Sequence, residues 1–577
     1  MTFINETFKK LGLGPIIKRL IKKRNGFVDQ RRFWKGEILE SPASNVSLFR
    51  QDGKRPVVLT YEKESRDCIF IKSGASYELH LPKQEKYSEM RLSFASEGTP
   101  SLDESIRVSH GEKEIGRLSY IIPRKWHTLK INLHESDKKF LIQNTCKTDI
   151  SMAHPVLIQA FNNTAGAQKQ PKNVIMIILD SLWRDSVGIY NDESIKYTPN
   201  INHFFRNGIK YLNGFTQSEW TYPSVYSFLT SQYPVGHGMN DLHRSSSGML
   251  SYGGENLAEK FRQMGYSTLA YSTVKIFHPG FSGHIGFDRF LYDPFPQSSQ
   301  THLDICRKAV EQLIGNKEGK NFLFLHFLDT HEPWSHPSDF EDNFLSNFRI
   351  TDAMKEYESL KRGDKDTKAE PIFDNEGIET LTQRRNGRLF NVDLSLQFLF
   401  DYLERSGELE NTVVALCSDH GYQYLAETRP LFCNTRVNVP LVLYHPNFNQ
   451  QTVEDLVAVN LDLGPTLVKF CGGNYKSDGS ILPPFDHGKT RGWVISESIF
   501  GSLYKVAIRD HMYVYHFCCR YDIEKNKIVL RDVKDSRLVM RNEEKKNVDI
   551  SAGMPDIVEK MGSILHEHLS KFYDILD

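Results

Sequence analysis

Three apolar runs in this chain each end in an acid. NVIMIIL (173–179) runs into Asp180, FLFLHFL (322–328) into Asp329, and TVVALCS (412–418) into Asp419, with His420 and Gly421 directly after it. Uninterrupted apolar runs of this length suit parallel strands covered on both faces. Open α/β sheets bind their ligands beyond the carboxyl ends of such strands. The three acids are therefore expected to converge on one crevice. A single aspartate at a strand end is an ordinary turn residue, but three, with His331 and His420 beside two of them, form a pattern. Clustered carboxylates repel one another unless a cation neutralises them. Aspartate combined with histidine suits Zn²⁺ or Mn²⁺ better than the all-oxygen sites of Ca²⁺ or Mg²⁺.

A hydroxyl stands in a second suggestive place. In EWTYPSVYSFLTSQYPVGHGM (219–239), Pro223 suits the first turn of a helix, and Val225, Phe228 and Leu229 recur at the spacing of a buried helical stripe. Thr221 falls at or just before the helix start. It can cap the helix. It can also lie where the helix dipole and free N–H groups favour an anion. There, a neighbouring divalent ion would make it a nucleophile.

The elements that must position these residues follow from the rest of the chain. Its 577 residues allow about three to four domains. With 39% hydrophobic and 25% charged residues the composition is globular, and a net charge of zero gives no global field for nucleic acid. Residues 1–26 form a basic amphipathic segment: Lys9, Lys10, Lys18, Arg19, Lys22, Lys23 and Arg24 flank Ile16, Ile17, Leu20 and Ile21. Such a segment suits peripheral contact with an anionic membrane surface, or packing on its own domain. No export signal or membrane span is read, which points to a cytoplasmic protein, peripheral at most on an inner membrane face. The eight cysteines show no zinc spacing and read as reduced thiols. Residues 27–165 alternate apolar and polar positions between turn residues, the pattern of an antiparallel β-sandwich. Residues 170–490 alternate buried strands with helices, an α/β sheet. Within them, 337–379 is charged and irregular, an insertion or lid. Residues 491–577 suggest a small sheet and a closing helix near 558–572.

Several ordered segments together resemble the sulfatase-like branch of the alkaline phosphatase superfamily: NVIMIILDSLWRDSVGIYN, TPNINHFFRNGI, TYPSVYSFLTSQYPVGHGM, FLHFLDTHEPW and NTVVALCSDHG. The region 27–165, through PRKWHTLKINL, is similar to the jelly-roll, galactose-binding-like modules that precede some of these catalytic domains. The implied fold is a mixed sheet sandwiched by helices, preceded by that β-sandwich, which either binds carbohydrate or braces its neighbour. The resemblance implies metal ligation by Asp180, Thr221, Asp419 and His420. It makes Thr221 the nucleophile and His331 the group that contacts or protonates the leaving oxygen. Lys275, His278 and Arg429 fall near substrate-binding positions. A second metal, if bound, would draw on Asp329 and His487, although the second site of the similar nucleotide pyrophosphatase/phosphodiesterases uses an Asp-x-x-x-His spacing and Asp329 and His331 are only two apart.

The departures sharpen the expectation. Sulfatases carry Cys or Ser in a C/S-x-P-S-R pattern and convert it to formylglycine; here the corresponding positions hold Thr221 and Val225. Threonine cannot become formylglycine. An unmodified threonine is typical of phosphoethanolamine and phosphoglycerol transferases and of nucleotide pyrophosphatase/phosphodiesterases. The expected activity is metal-dependent phosphoryl-type transfer through a phospho-threonine, from a phosphate-ester or phosphodiester donor to a glycan or lipid-linked acceptor, as in surface polysaccharide synthesis. The alternatives are a phosphodiesterase or phosphonate monoester hydrolase, a sulfatase-like ester hydrolase, and an inactive carbohydrate-binding scaffold.

Overall fold

A computed structural model describes residues 39–40, 57–82, 87–101, 103–134, 137–161, 170–240, 256–274, 276–293, 301–331, 375–422, 432–486, 491–523, 525 and 527–572. The 1–26 segment, nearly all of the 337–379 insertion, and Lys275, Arg429 and His487 lie outside these residues.

The strand Asn173–Leu179 is the axis of the fold. It pairs in parallel with Lys320–Phe327 on one side and Thr412–Cys417 on the other. Tyr266–Ser272 and Arg289–Tyr292 extend the sheet in parallel beyond Lys320–Phe327. On the other flank Leu441–Tyr444 runs antiparallel to its neighbours, followed by Ile209–Phe215 and Gln451–Ala458. The sheet is mixed, as expected. All seven residues of Asn173–Leu179 are buried. Val174, Met176 and Ile178 face a core built with the helices Thr221–Thr230, Leu257–Gln263 and Val459–Phe470. Ile175, Ile177 and Leu179 face a second core under Pro199–Phe205, Thr301–Gly315 and Asn375–Arg405. Strand side chains alternate between faces, so a run apolar at every position demands a helical layer on both sides.

The amino-terminal strands form the expected sandwich. Ser76–His80, Lys139–Asn144, Ile106–His110 and Lys113–Leu118 make one sheet, which encloses an apolar core of residues such as Leu79, Leu92, Phe94 and Ile142. The second sheet is not a separate unit. Its strand Glu64–Ile71 pairs antiparallel with Arg289–Tyr292, placing Ser65 opposite Phe290 and Glu64 opposite Leu291. Sandwich and central α/β sheet thus share one sheet, of 15 strands among the described residues.

Glu64 fastens this junction. Its Oε1 accepts from Arg66 Nε at 2.7 Å and Arg289 Nε at 2.9 Å, and its Oε2 from Arg289 Nη2 at 2.9 Å. Burial alone would raise its pKa, but Arg66 and Arg289 outweigh burial and hold the carboxyl well below the usual range. Glu64→Gln would leave two guanidinium groups short of a charge partner. It is expected to destabilise the folded chain by about 3–5 kcal/mol, read as a lower urea midpoint at unchanged m-value.

The carboxy-terminal strands Val494–Phe500, Leu503–Arg509, Tyr513–Asp522 and Lys527–Met540 form an antiparallel sheet covered by the helix Pro555–Ser570. Buried Glu497 ties this unit to the catalytic core. It accepts from Val235 N at 3.0 Å, Tyr504 Oη at 2.7 Å and His568 Nε2 at 2.9 Å. No helix among the described residues is long and apolar enough to cross a membrane.

Several buried histidines set a pH dependence. Burial pulls His154, His237 and His516 down to about 3. His237, from the YPVGHGM stretch, bonds Ser227 Oγ through Nε2 at 3.0 Å and accepts from Met239 N at 3.0 Å. Below about pH 6.5 the unfolded chain takes up protons that these folded histidines refuse, so stability rises with pH across that window. The melting temperature is expected to fall steadily from pH 7 to pH 5, and less steeply in a His237→Gln variant.

Candidate active site

The carboxyl ends of three adjacent strands deliver the chemistry. Asp180 follows Asn173–Leu179 and is anchored by its N–H to Phe327 O at 2.9 Å. Ser181 turns the chain sharply at φ 57°. Its N–H then reaches Asp419 Oδ1 at 3.0 Å, and its hydroxyl donates to Asp180 Oδ1 at 2.8 Å. Asp419 and His420 follow Thr412–Cys417. The N–H of His420 returns to Asp419 Oδ1 at 2.9 Å. His420 Nδ1 donates to Gly421 O at 2.7 Å, so the lone pair of Nε2 faces the carboxylates, 3.6 Å from Asp419 Oδ2 and 3.9 Å from Asp180 Oδ1. Gly421 is required by space, because a Cβ there would lie 2.0 Å from Thr435 O.

Thr221 opens the buried helix Thr221–Thr230, and the cap position belongs to Trp220. No side-chain cap bond is made. The Thr221 hydroxyl turns into the acid cluster instead, with Oγ1 3.4 Å from Asp180 Oδ2 and 3.2 Å from His420 Nε2. Of the two readings open in the sequence, capping is therefore not what this hydroxyl does.

The sequence reading missed His326. It lies within FLFLHFL, fully buried, in register with Ile178 and Ser272. Its Nε2 stands 3.3 Å from Asp180 Oδ2 and 4.0 Å from Asp419 Oδ2. The available signal was a single polar residue inside an apolar strand run, near its carboxyl end. His331 lies near enough to Asp180 to help lower the pKa of its carboxyl.

Electrostatics separate the two carboxylates. Burial opposes ionisation of Asp180, but His331, His326 and His420 outweigh burial and hold it below the usual carboxylate range. Asp419 is pushed up, first by burial and then by Asp180 itself. Two buried carboxylates at this spacing call for a cation.

Asp329 is not among the residues whose ligand atoms gather at this centre, and His487, its expected partner in a second metal site, lies outside the described residues. Asp329 is buried beside the helices Thr301–Gly315 and Asn375–Arg405, with Arg388 Nη2 3.6 Å from Oδ1 and with His302 acting on its charge. A residue two positions along an extended strand end points back to the same face, but the turn at Thr330, whose hydroxyl donates to Asp180 O, separates Asp329 from His331. His278 is engaged elsewhere as well. It caps the 279–281 turn by accepting from Gly280 N at 3.0 Å and packs its ring against Phe281 and Tyr292. Its loop nevertheless touches the helix Thr221–Thr230, through Phe281 against Tyr222.

The fold and the strand-end cluster define a sulfatase-type member of the alkaline phosphatase superfamily. The sulfatase family model matches residues 172–473, just over half of the 577 residues, and the chain belongs to that family. Mouse (Mus musculus) iduronate 2-sulfatase is 32% identical over 136 residues, 22% of this chain and 23% of that protein. An ulvan-active sulfatase of Formosa agariphila is 22% identical over 369 residues, 60% of this chain and 56% of its own length. The matches thus span between about a quarter and just over half of these relatives. Among solved structures, a 2-O GAG sulfatase superposes with TM-score 0.54 at 18% identity, covering 70% of this chain and 93% of its own. The phosphonate monoester hydrolase of Silicibacter pomeroyi gives TM-score 0.54 at 16% identity, covering 70% and 96%.

Sulfatase family enzymes bind a divalent metal. The residues here fit one. Asp180, Asp419 and His420 offer ligand atoms within 4.8 Å of one another. Asp419 Oδ2 is buried with no hydrogen-bond partner, as expected of an atom that serves a cation.

Proposed function

We propose that this chain transfers a phospho-substituent through Thr221, from a phosphate-ester or phosphodiester donor to a hydroxyl of a glycan or lipid-linked acceptor. The observation that carries the reading is the Thr221 hydroxyl, which leaves its helix uncapped and lies between Asp180 and His420. Asp180, Asp419, His420 and Thr221 would hold one divalent ion. When bound, that ion supplies the charge that keeps the threonine oxygen ionised and polarises the phosphoryl group. Thr221 Oγ1 attacks phosphorus in line, and the bond to the leaving oxygen breaks. His331 gives that oxygen its proton. Free N–H groups at the helix start hold the equatorial oxygens. An acceptor hydroxyl then attacks the phospho-threonine, returns a proton to His331 and frees Thr221. Water in place of the acceptor gives hydrolysis.

Formylglycine chemistry has no substrate at this position, because threonine lacks the primary alcohol or thiol it needs. The fold shared with a phosphonate monoester hydrolase favours hydrolysis as the second reading. The basic 1–26 segment supports placement on the inner face of a membrane, near lipid-linked acceptors.

Mass spectrometry of the Thr221 peptide after incubation with candidate donors tests the proposal. A mass increment on Thr221 identifies both nucleophile and transferred group. Turnover with no trapped adduct, under quench conditions that preserve phosphate esters, would count against it. Adding acceptor glycans separates transfer from hydrolysis by the fate of the group.

A further inference from the structure

The short helix Asn434–Val437, with Asn438 after it, bonds to all three chain segments that carry the site. Arg184 N, in the turn that follows Asp180, donates to Asn438 O at 3.0 Å. Gly421 N, directly after His420, donates to Arg436 O at 2.6 Å, and Tyr422 N donates to Thr435 O at 2.8 Å. Thr216 N, on the approach to Thr221, donates to Val437 O at 2.8 Å. The helix is itself anchored from the carboxy-terminal part of the chain, where buried Glu544 accepts from Asn434 N through Oε2 at 3.1 Å.

One side chain of this helix reaches nearer to Thr221 than these backbone bonds do. Arg436 Nη1 donates to Glu219 Oε2 at 2.8 Å. Glu219 stands two residues before Thr221, so their Cα atoms are at most about 7 Å apart. The pair is drawn partly out of water, with side-chain exposures of 24% for Arg436 and 9% for Glu219, and a charge-assisted bond of this length is among the stronger kinds. Arg436 thus holds the His420 side through its carbonyl and the Thr221 side through its guanidinium. The two atoms it brings together, His420 Nε2 and Thr221 Oγ1, lie 3.2 Å apart. The helix opened by Thr221 has no side-chain cap bond to fix its start, which leaves that work to contacts with the chain before it.

We infer that Arg436 and Glu219 are positioning residues, and that their ion pair sets the place of the Thr221 oxygen relative to Asp180, Asp419 and His420. The inference rests on Thr221 as the attacking group. A misplacement of about 1 Å at a reacting centre can cost about a hundredfold in rate. Loss of the pair therefore acts on the chemical step, while the ion, held by side chains whose own segments keep their backbone bonds, stays bound.

The full-length wild type, Glu219→Gln, Arg436→Gln, the double variant and Arg436→Lys test this. Each is loaded with Mn²⁺ for turnover of bis-p-nitrophenyl phosphate and with Co²⁺ for its visible absorption spectrum. In either Gln variant kcat is expected to fall about 10- to 100-fold with KM within about twofold of wild type. The double variant should be no slower than the slower single one, because the two side chains act as one unit. Arg436→Lys keeps the charge and should retain part of the rate. Co²⁺ should bind all variants in the same ratio, and the spectra of the Gln variants should move from that of wild type toward that of Thr221→Ala. Glu219→Gln keeps the shape of the side chain, so its effect reads the lost charge and not a lost fold. An unchanged kcat with a lowered melting temperature overturns the inference, since that is what a purely structural pair would give. Multiplying losses in the double variant, or identical Co²⁺ spectra across the set, overturn it as well. Failure of the phospho-threonine reading is seen separately, as no adduct on Thr221 and a Thr221→Ala protein as active as wild type. The Co²⁺ spectra need no turnover and report the place of the Thr221 oxygen in either case.

Discussion

Replacing Thr221 by alanine is expected to lower turnover by about 10⁴- to 10⁶-fold, the range seen when an enzyme loses its attacking atom. The fold should survive. The Thr221 hydroxyl makes no cap bond, and among the described residues its hydrogen-bonding contacts are Asp180 and His420. The far-ultraviolet circular dichroism and melting temperature of the variant should stay close to wild type while steady-state turnover of a phosphodiester falls to background. Thr221→Ser keeps an oxygen at the same place and should retain measurable activity and a trapped adduct. A Thr221→Ala protein as active as wild type would remove the covalent mechanism altogether.

The second large effect concerns the charge cluster. Asp419→Ala removes a buried carboxylate oxygen that has no hydrogen-bond partner, and it should abolish stoichiometric binding of a divalent ion. The loss of affinity should exceed the roughly 10–100-fold that follows loss of an outer partner of a metal ligand. Chelation of wild type should stop turnover, and Zn²⁺ or Mn²⁺ should restore it. The ion should also stabilise the fold, by about 2.7 kcal/mol at a free concentration 100 times its dissociation constant. Elemental analysis, activity and melting temperature on the same preparation check all three. A purified chain with no bound divalent ion and no rescue would favour an inert scaffold.

Asp180, Asp419 and His420 were legible because each ends an apolar run, and an apolar run of strand length leaves little choice about where its last residue emerges. The mixed α/β sheet and the antiparallel sandwich were legible for the same reason, since both depend on periodicity within a few residues. Thr221 was legible as a helix start. The direction of its hydroxyl was not, because capping and turning toward an acid are equally compatible with a threonine before proline. His326 was passed over. Its surroundings are apolar along the chain, and its acidic neighbours, 146 and 93 residues away in sequence (326 − 180 and 419 − 326), arrive only through strand pairing.

Asp329 shows the opposite limit. In sequence it is the third strand-end acid. In space it lies outside the Asp180, Asp419 and His420 group and has Arg388, from a helix that follows the insertion, 3.6 Å away. The joining of sandwich to catalytic sheet was equally out of reach, because Glu64 pairs with Leu291 across more than 200 residues of chain. The sequence by itself determined the elements, their layers and the residue types gathered at the strand ends, because these follow from local pattern and burial. Only the tertiary structure decided which of the acids gather at one point, where Thr221 points and which buried histidine meets those acids. Those are distances between side chains on different strands and helices, set by register and crossover rather than by any local preference.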